Sequence, residues 1–265
     1  TVVSSGDLLQ MFTSILSEEA LASHLKAAVV LRETVDEVWQ LVAQKVDSGD
    51  LTEREVQKFM MERFAKFGCR TCHAPIVAIA ENSADPHYSP HPFHSRKIER
   101  DQLLLIDLWC KQNKSGSVYA DITWTAWIGD NPPAKVLEVF DVVKTARDNV
   151  VLKVKNSISA KEFVTGAELD RTARDIISDA GYGEYFVHRT GHSLDTDVHG
   201  AGANLDSLES EDERRILPAT GFTVEPGIYL PGEFGIRSEL NVVILPEGHV
   251  HVSGTPVQDE LVTIN

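Results

Sequence analysis

The segment HRTGHSLDTDVHG brings three imidazoles close together. It places His188, His192 and His199 within twelve residues, although the chain of 265 residues has only ten histidines. Two kinds of chemistry use such a cluster. Neutral imidazole is a common metal ligand, and imidazole also serves as the base that activates a side-chain nucleophile. The residues around the histidines have to decide between a metal site and a nucleophile.

The local pattern completes neither of two well-known motifs. His188 and His192 are four residues apart, as on a zincin helix, but Gly191 lies between them and the H-E-x-x-H glutamate is missing. GHSLD departs from the G-x-S-x-G nucleophile elbow because Asp195 stands where the second glycine belongs. Both departures disfavour a zincin and a nucleophilic Ser193. The interpretation that remains is one histidine on a metal and two around a substrate.

Four carboxylates lie inside apolar, strand-like segments, where an unpaired charge costs several kcal/mol or shifts its pKa until it is neutralised. Asp107 and Asp121 are fourteen residues apart across one predicted hairpin, and Glu225 and Glu239 are fourteen apart across another. Cations would make this crowding tolerable. Oxygen-rich ligands suit Mn²⁺, Co²⁺ or Fe²⁺ better than a thiolate-type zinc site. Two ions about 3.5–4 Å apart would match the charge and create a bridging hydroxide nucleophile.

The composition excludes several other classes of protein. A net charge of -15 argues against nucleic acid as a partner, since phosphate contacts need clustered Lys and Arg. No apolar run of eighteen residues is present, so no membrane-spanning segment is predicted. Cys69 and Cys72 form an isolated C-x-x-C without a second pair, which rules out a zinc ribbon and leaves a redox role as the alternative to reduced thiols. We therefore expect a cytoplasmic protein.

Helices and strands alternate in the pattern that must position these residues. Capping signals at Ser17 and at Thr52 with Glu55 predict two opening helices. Helical periodicity returns over residues 134–154 and from Thr165 to Ala180. Period-two or apolar runs predict strands: APIVAIA, QLLLIDLWC, VYADITWTAWIG, GFTVEPGIYL, GIRSELNVVIL, HVHVSG and DELVTI. This order indicates an α+β domain built around an antiparallel sheet.

Residues from about 20 to 265 resemble the catalytic domain of the pita-bread metallopeptidases, which include Xaa-Pro dipeptidase, aminopeptidase P and methionine aminopeptidase. The resemblance rests on six segments in family order: NSADPHYSP, LLLIDLWC, YADITWTAWIG, HRTGHSLDTDVHG, TVEPGIYL and GIRSELNVVI. It implies the pita-bread (creatinase/aminopeptidase) fold, a curved antiparallel sheet covered by helices in pseudo-two-fold halves. The PHY and TVEPG segments resemble the proline-specific branch. We thus expect a metallopeptidase that hydrolyses Xaa-Pro bonds in peptides with proline second.

The resemblance also implies roles for particular residues. His199 and His188 would hydrogen-bond beside the scissile carbonyl, and His87 would sit near the leaving amine. Glu225 would be both a ligand and the proton acceptor, and Arg237 would support a ligand carboxylate. Two divalent ions are expected, Mn²⁺ foremost with Co²⁺, Fe²⁺ or Zn²⁺ as alternatives, in a homodimer. The implied ligands of this dinuclear centre are Asp107, Asp121, His192, Glu225 and Glu239.

Longer members of the proline-specific branch have an N-terminal domain before the catalytic one. We therefore expect residues 1–47 to form an N-terminal helical segment joined to such a domain, which is absent here, and residues 48–265 to form the catalytic domain. The chain departs from the family pattern at Trp124, where a charged residue is usual, and at Asp195, where glycine is common. The roles of Trp124 and Asp195 stay open.

The segment LESEDERRILPATG is acidic where prolidases often have an arginine that holds the substrate carboxylate. It leads us to expect that Xaa-Pro-Yaa peptides are cleaved at least as well as Xaa-Pro dipeptides, unless Arg214 or Arg215 reaches the pocket. Two alternative functions stay open. One is a hydrolase of the same fold acting on a non-peptide amide or amidine. The other is a non-catalytic peptide-binding relative, although such relatives typically lose ligands that this chain keeps.

Overall fold

The structure, a computed structural model, describes residues 5–91 and 93–265. Within these residues the α-helices α1 to α5 span Gly6–Thr13, Glu18–Lys45, Glu53–Lys66, Ala134–Ala160 and Gly166–Asp179. The strands β1 to β11 span Cys69–Arg70, Ile76–Ile79, Gln102–Gln112, Ala120–Ile128, Ser193–Leu194, Thr220–Val224, Gly227–Leu230, Phe234–Arg237, Leu240–Ile244, Val250–Ser253 and Val262–Ile264.

The predicted capping signals start three of the helices. The Ser17 side chain accepts a backbone N–H in the first turn of α2. Thr52 with Glu55 at α3, and Thr165 with Glu168 at α5, form complete capping boxes. In each box the two side chains satisfy N–H groups that have no partner within the helix. The sequence prediction of these three helix starts is confirmed.

The first half of the molecule packs α2 and α3 against a five-stranded sheet. Its strand order is β1-β3-β4-β11, and β2 pairs with β3 on the side. The β3–β4 hairpin runs in register from Gln102↔Ile128 to Cys110↔Ala120. Alternate side chains of this hairpin join the α2 helix in one core, and the other face of the hairpin is left for the polar residues described below.

The second half repeats this arrangement with α4 and α5. Its four-stranded sheet has the order β10-β9-β6-β5, and a separate β7–β8 ribbon lies beside it. The buried side chains of α4 and α5 share a second core with β6, β8 and β9. Each half therefore places one long helix behind an antiparallel pair of strands. The predicted α+β architecture is confirmed.

Three features differ from the sequence prediction. GFTVEPGIYL and GIRSELNVVIL each form two strands, because the pairing of β6 with β9 ends at Val224↔Leu240 and the chain then turns away through Pro226. Proline cannot donate to a strand ladder. Helix α4 extends to Ala160, beyond the predicted end at residue 154, and Ile158 in this last part packs against the second core. Helix α1 was not predicted, because Leu8 and Phe12 face outward and no buried apolar stripe marks it.

The predicted segment 1–47 contains helix α2, which contributes Leu31, Val35 and Val38 to the core of the first half. Residues 1–4 lie outside the described residues. The division of the chain at residue 47, and a joint to a further domain, stay predictions. Among residues 5–91 and 93–265, no helix has the length and apolar character needed to cross a membrane.

Candidate metal centre

The β3–β4 hairpin presents the first two predicted ligands. Asp107 pairs with Thr123, and Asp121 pairs with Trp109, so the two aspartates are diagonal neighbours two positions apart in the ladder. Because side chains alternate across a strand, Asp107 and Asp121 project from the same face. This face points away from α2 into a cleft of about 470 Å³.

The second half presents the two glutamates at the ends of strands. Val224 pairs with Leu240, so Glu225 and Glu239 lie just beyond the last pair of the β6–β9 ladder. The N–H of Glu239 donates across to the carbonyl of Thr123 at 3.2 Å. This bond joins the two halves directly behind the cleft.

His192 lies one residue before β5, and hydrogen bonds of its N–H and of its ring fix its position. Its N–H donates to Thr223 Oγ1 at 3.0 Å, and the ring Nδ1 lies 3.1 Å from the carbonyl oxygen of Ser193. A Cβ on Gly191 would lie 2.0 Å from the Thr223 carbonyl oxygen, so this close approach requires glycine. If Nδ1 carries the proton, Nε2 keeps a free lone pair. Nε2 lies 3.5 Å from Glu225 Oε1 and 3.7 Å from an oxygen of Asp121.

The electrostatics of the cleft oppose the ionised forms of three carboxylates, Asp121, Glu225 and Glu239. Burial, with repulsion from Asp107 and Glu225, raises the pKa of Asp121 well above its usual range. Burial, with repulsion from Asp121, raises the pKa of Glu239 in the same way. Burial also raises the pKa of Glu225 and lowers that of His192. Bound cations would reverse this balance, because they favour the charged carboxylates and the neutral imidazole.

The donor atoms fit a divalent ion. Asp121, His192 and Glu239 offer one ligand atom each within 4.8 Å of one another. Asp121 Oδ1 and Glu239 Oε1 are buried without a hydrogen-bond partner, and buried acceptors rarely stay unsatisfied. Asp107 and Glu225 do not belong to this close group. The three residues could therefore hold one divalent ion, and Glu225 Oε1 lies beside them, 3.5 Å from His192 Nε2.

Arg237 binds Asp107, one of the two carboxylates outside this group. Its Nη2 donates to Asp107 Oδ2, its Nη1 to the Tyr229 hydroxyl at 2.7 Å, and its Nε to Thr123 Oγ1 at 3.1 Å. Burial by itself lowers the pKa of Arg237, but Tyr229 and the surrounding carboxylates raise it overall. The guanidinium is thus a fixed positive charge at the floor of the cleft.

The three other histidines with predicted roles all line the cleft. His199 stacks edge-on against His192, with ring centroids 4.4 Å apart. His87 is exposed on its loop. His188 has both ring nitrogens engaged, by the Arg189 carbonyl and the Tyr229 hydroxyl, each at 2.7 Å. Burial lowers the pKa of His188 to about 3, which keeps the ring neutral.

The Ser193 side chain lies outside the cleft. Its hydroxyl accepts the N–H of Gly202 at 3.0 Å, and the side chain does not line the cleft. Trp124 lies on the opposite face of β4 from Asp121, where the guanidinium of Arg32 sits 4.0 Å over its ring. Trp124 therefore packs against a positive charge that α2 places behind the sheet. Asp195 accepts the N–H of Thr196 within its own turn.

The acidic segment contributes one side chain to the cleft. Glu209 lines it, whereas Glu211 pairs with Arg171 and Asp212 pairs with Arg214. Arg215 packs over the ring of Phe163. Neither Arg214 nor Arg215 lines the cleft, but Arg189 does. The cleft therefore has one anion and one cation at its side besides the central cluster.

Sequence reasoning missed the residues that hold the cluster in place. Tyr229 links His188 to Arg237, and Thr123 donates its hydroxyl to Glu239 Oε2 at 2.7 Å. Both residues stand inside motifs that the sequence analysis quotes, two or four positions from a predicted ligand. That proximity is the only local signal, because Glu239 lies 116 positions from Thr123 and His188 lies 41 positions from Tyr229.

Comparison with known proteins places the chain in a family. The model of metallopeptidase family M24 matches residues 22–246. An uncharacterized peptidase of Staphylococcus saprophyticus is 29% identical, covering 96% of this chain and 67% of that protein. A Xaa-Pro dipeptidase of Lactobacillus delbrueckii is 32% identical over 82% of this chain and 54% of its own length. The crystal structure of a prolidase from Thermococcus sibiricus matches with a TM-score of 0.82 and 30% identity, covering 98% of this chain and 65% of that one.

The chain spans about two thirds of the length of that prolidase and of the staphylococcal peptidase. The likeness extends over both halves of the molecule and confirms the predicted pita-bread fold. With the family model matching most of the sequence and the fold agreeing, the chain belongs to metallopeptidase family M24.

Proposed function

We propose that this chain is a metallopeptidase catalytic domain that hydrolyses Xaa-Pro bonds with two divalent metal ions. The observation that supports it most is the convergence of four acidic side chains and one imidazole in a single cleft. Among the described residues, Arg237 is the only cation that hydrogen-bonds to any of the four carboxylates. Cations are needed to balance the others. Similarity to a Xaa-Pro dipeptidase and to a prolidase supports the substrate class.

The proposed ligands are Asp107, Asp121, His192, Glu225 and Glu239, with Mn²⁺ as the proposed metal. Ions bound there would lower the pKa of a water and polarise the substrate carbonyl. The imidazole of His192 stays neutral and presents Nε2, since Nδ1 is directed at the Ser193 carbonyl. Thr223 donates to Glu225 Oε1 at 3.1 Å, which leaves Oε2 to accept the proton of the attacking water.

The histidines are proposed to act on the substrate side of the cleft. His199 would donate to the carbonyl oxygen as it becomes negative, a task that suits a donor held at the edge of the site. His87 would stand near the leaving proline nitrogen. The hydrogen bonds of His188 to Tyr229 and Arg189 direct both ring nitrogens into the protein, so a substrate contact by this ring would have to displace one of them.

The decisive experiment joins metal analysis to a substrate panel. Purified protein saturated with Mn²⁺ or Co²⁺ is assayed on Xaa-Pro dipeptides, Xaa-Pro-Yaa peptides and proline-free controls. We expect about two equivalents of metal, and cleavage restricted to the bond before proline. Binding of less than one equivalent would contradict the metal mechanism. Cleavage of the proline-free controls alone would refute the proposed substrate class.

The same panel tests substrate length. The expectation that longer peptides are cleaved at least as well as dipeptides now rests on Glu209 alone among the four acids of its segment, and Arg189 opposes it. A preference for Xaa-Pro dipeptides that disappears when their C-terminus is amidated would show that the attraction of Arg189 for the substrate carboxylate outweighs the repulsion by Glu209.

Inhibitors separate the metal mechanism from a seryl nucleophile. We expect complete loss of activity after exhaustive dialysis against EDTA, recovery with Mn²⁺, and no effect of fluorophosphonates. Ser193→Ala should stay active, because the Ser193 hydroxyl accepts the Gly202 N–H instead of facing the substrate. Activity that survives metal removal would overturn the proposal.

A further inference from the structure

Asp170 on α5 is a fully buried carboxylate outside the metal centre. Its Oδ1 accepts the N–H of Thr190 at 2.8 Å and the hydroxyl of Thr190 at 2.6 Å. Its Oδ2 accepts the N–H of Ser207 at 2.9 Å and the hydroxyl of Ser207 at 2.6 Å. The two oxygens therefore bind two separate segments, one on each side of the carboxylate.

Arg174, one helical turn later, balances the charge of Asp170. Its Nε and Nη2 donate to the two carboxylate oxygens at 2.6 and 3.2 Å. The same guanidinium donates to the carbonyl of Phe186 at 3.0 Å and to the carbonyl of His188. Its planar fork thereby fixes the backbone that leads into the histidine segment.

Both segments held by Asp170 lead into the cleft. Thr190 lies between His188 and His192, and its carbonyl accepts the N–H of Glu225 at 2.7 Å. A displacement of Thr190 would therefore move two proposed ligands together. Ser207 lies two residues before Glu209, the acidic side chain of the cleft wall.

We propose that Asp170, held by Arg174, is a positioning residue that sets the His192 and Glu225 ligands relative to the loop bearing Glu209. The inference rests on the proposed metal centre but concerns residues that do not touch the metal. Buried carboxylates of this kind are effective because every lone pair is used and the counter-charge is in contact. Partners behind metal ligands typically change metal affinity by about 10–100-fold when removed.

Asp170→Asn is the direct test. The amide has nearly the same shape, but its NH₂ group would face donors, and Arg174 would lose its counter-charge. We expect Co²⁺ affinity to fall by about 10-fold or more, as is typical for such partners, with an altered visible spectrum of the bound Co²⁺. Amide hydrogen exchange of residues 186–192 should become faster even in metal-free protein. Asp175→Asn, an exposed position on the same helix, is the matched control.

Two milder variants separate the two oxygens and do not depend on how well Asp170→Asn folds. Thr190→Val removes one donor to Oδ1 and should weaken Co²⁺ binding. Ser207→Ala removes one donor to Oδ2 and should raise KM while leaving Co²⁺ affinity and kcat near the wild-type values. If Asp170→Asn or Thr190→Val bound Co²⁺ like the Asp175→Asn control, with the same spectrum, the inference would be wrong. Failure of the wild-type protein to bind Co²⁺ would instead contradict the proposed metal centre.

Discussion

The two halves of the molecule present their proposed ligands in different ways. In the first half, Asp107 and Asp121 stand in the middle of one continuous hairpin. In the second half, His192, Glu225 and Glu239 all stand just outside a strand. Strand pairing positions the backbone of both hairpin residues, while the Asp107 carboxylate also accepts from Arg237 and the Asp121 N–H donates to Asn241 Oδ1. The strand-end residues depend on additional hydrogen bonds.

Those additional bonds come from side chains and from distant backbone groups. His192 is tied to the Thr223 hydroxyl, Glu225 to the Thr190 carbonyl and Glu239 to the Thr123 carbonyl. The difference teaches that regular strand pairing is enough to place the backbones of two carboxylates on one face, whereas the backbones of ligands at strand ends need hydrogen bonds to distant groups. The second half should therefore be the more sensitive to changes in residues that do not bind metal.

Removing a ligand should have the largest effect. His192→Ala and Asp121→Asn delete members of the close three-residue group, so we expect both to lose all tightly bound metal and all activity. Asp107→Asn removes a ligand outside that group, so it should be inactive but keep about one equivalent. Metal content measured with saturating Mn²⁺ distinguishes the loss of all metal from the retention of one equivalent.

Asp197→Asn is the matched control for this set, because it removes an exposed carboxylate close to the cleft in sequence. It should keep the full metal content. Equal metal loss in Asp107→Asn and His192→Ala would contradict the expectation that Asp121, His192 and Glu239 hold one ion without Asp107.

His199→Ala tests whether histidines of the second half divide into metal ligands and substrate-binding groups. The variant should retain its metal, since His199 stands beside His192 and outside the ligand group. Its kcat should fall by about 10²-fold or more, the usual effect of deleting a donor to a developing oxyanion. His249→Ala, an exposed histidine, is the control. Loss of metal from His199→Ala would assign this residue to the centre instead.

Local signals predicted much of this structure, and long-range contacts account for what they missed. Ser17, Thr52 and Thr165 could be recognised as helix caps because their partners lie three residues away. The acids of the centre could be recognised because a charge inside an apolar strand needs a partner.

Contacts between distant segments left less of a trace. The sequence analysis gave Arg237 a ligand carboxylate as its partner but did not say which one, and the structure shows it reaching Asp107 across 130 positions. The contact of Thr123 with Glu239 across 116 positions was not predicted at all. The break at Pro226 was missed for a related reason. Glu225 and Glu239 were interpreted as members of one hairpin, whereas the fold inserts the β7–β8 ribbon between them.

His24 tests the joint between the halves through pH. It lies on α2, and its ring nitrogens lie 2.7 Å from the Tyr119 carbonyl and 2.7 Å from the hydroxyl of Ser253 on β10. Burial lowers the pKa of His24 to about 4, so the folded protein keeps the ring neutral. The unfolded chain takes up the proton near its ordinary pKa, which lies well above that of the folded state. Stability is therefore complete above about pH 6.5 and is lost as the pH falls toward 4.

Between pH 7 and pH 5 this single group should lower the free energy of unfolding by about 2 kcal/mol. His24→Gln removes the titration, so its stability should fall less steeply over that range even if it is lower at pH 7. Urea unfolding at several pH values measures both slopes. If the free energy of unfolding depended on pH equally in the two proteins, His24 would not stay neutral in the folded state.

The two capping boxes give the smallest and most closely matched comparison. Thr52→Ala at α3 and Thr165→Ala at α5 each remove one hydroxyl that accepts a backbone N–H. Each should lower the free energy of unfolding by about 1 kcal/mol. Only the second change lies on the helix that bears Asp170. Fraying of its first turn should therefore loosen Thr190 and weaken Co²⁺ binding by a small factor, whereas Thr52→Ala should leave Co²⁺ affinity unchanged. If the two variants were equally destabilised and bound Co²⁺ with equal affinity, α5 would not position the metal ligands. The ligands of the second half would then be no more sensitive to distant residues than those of the hairpin.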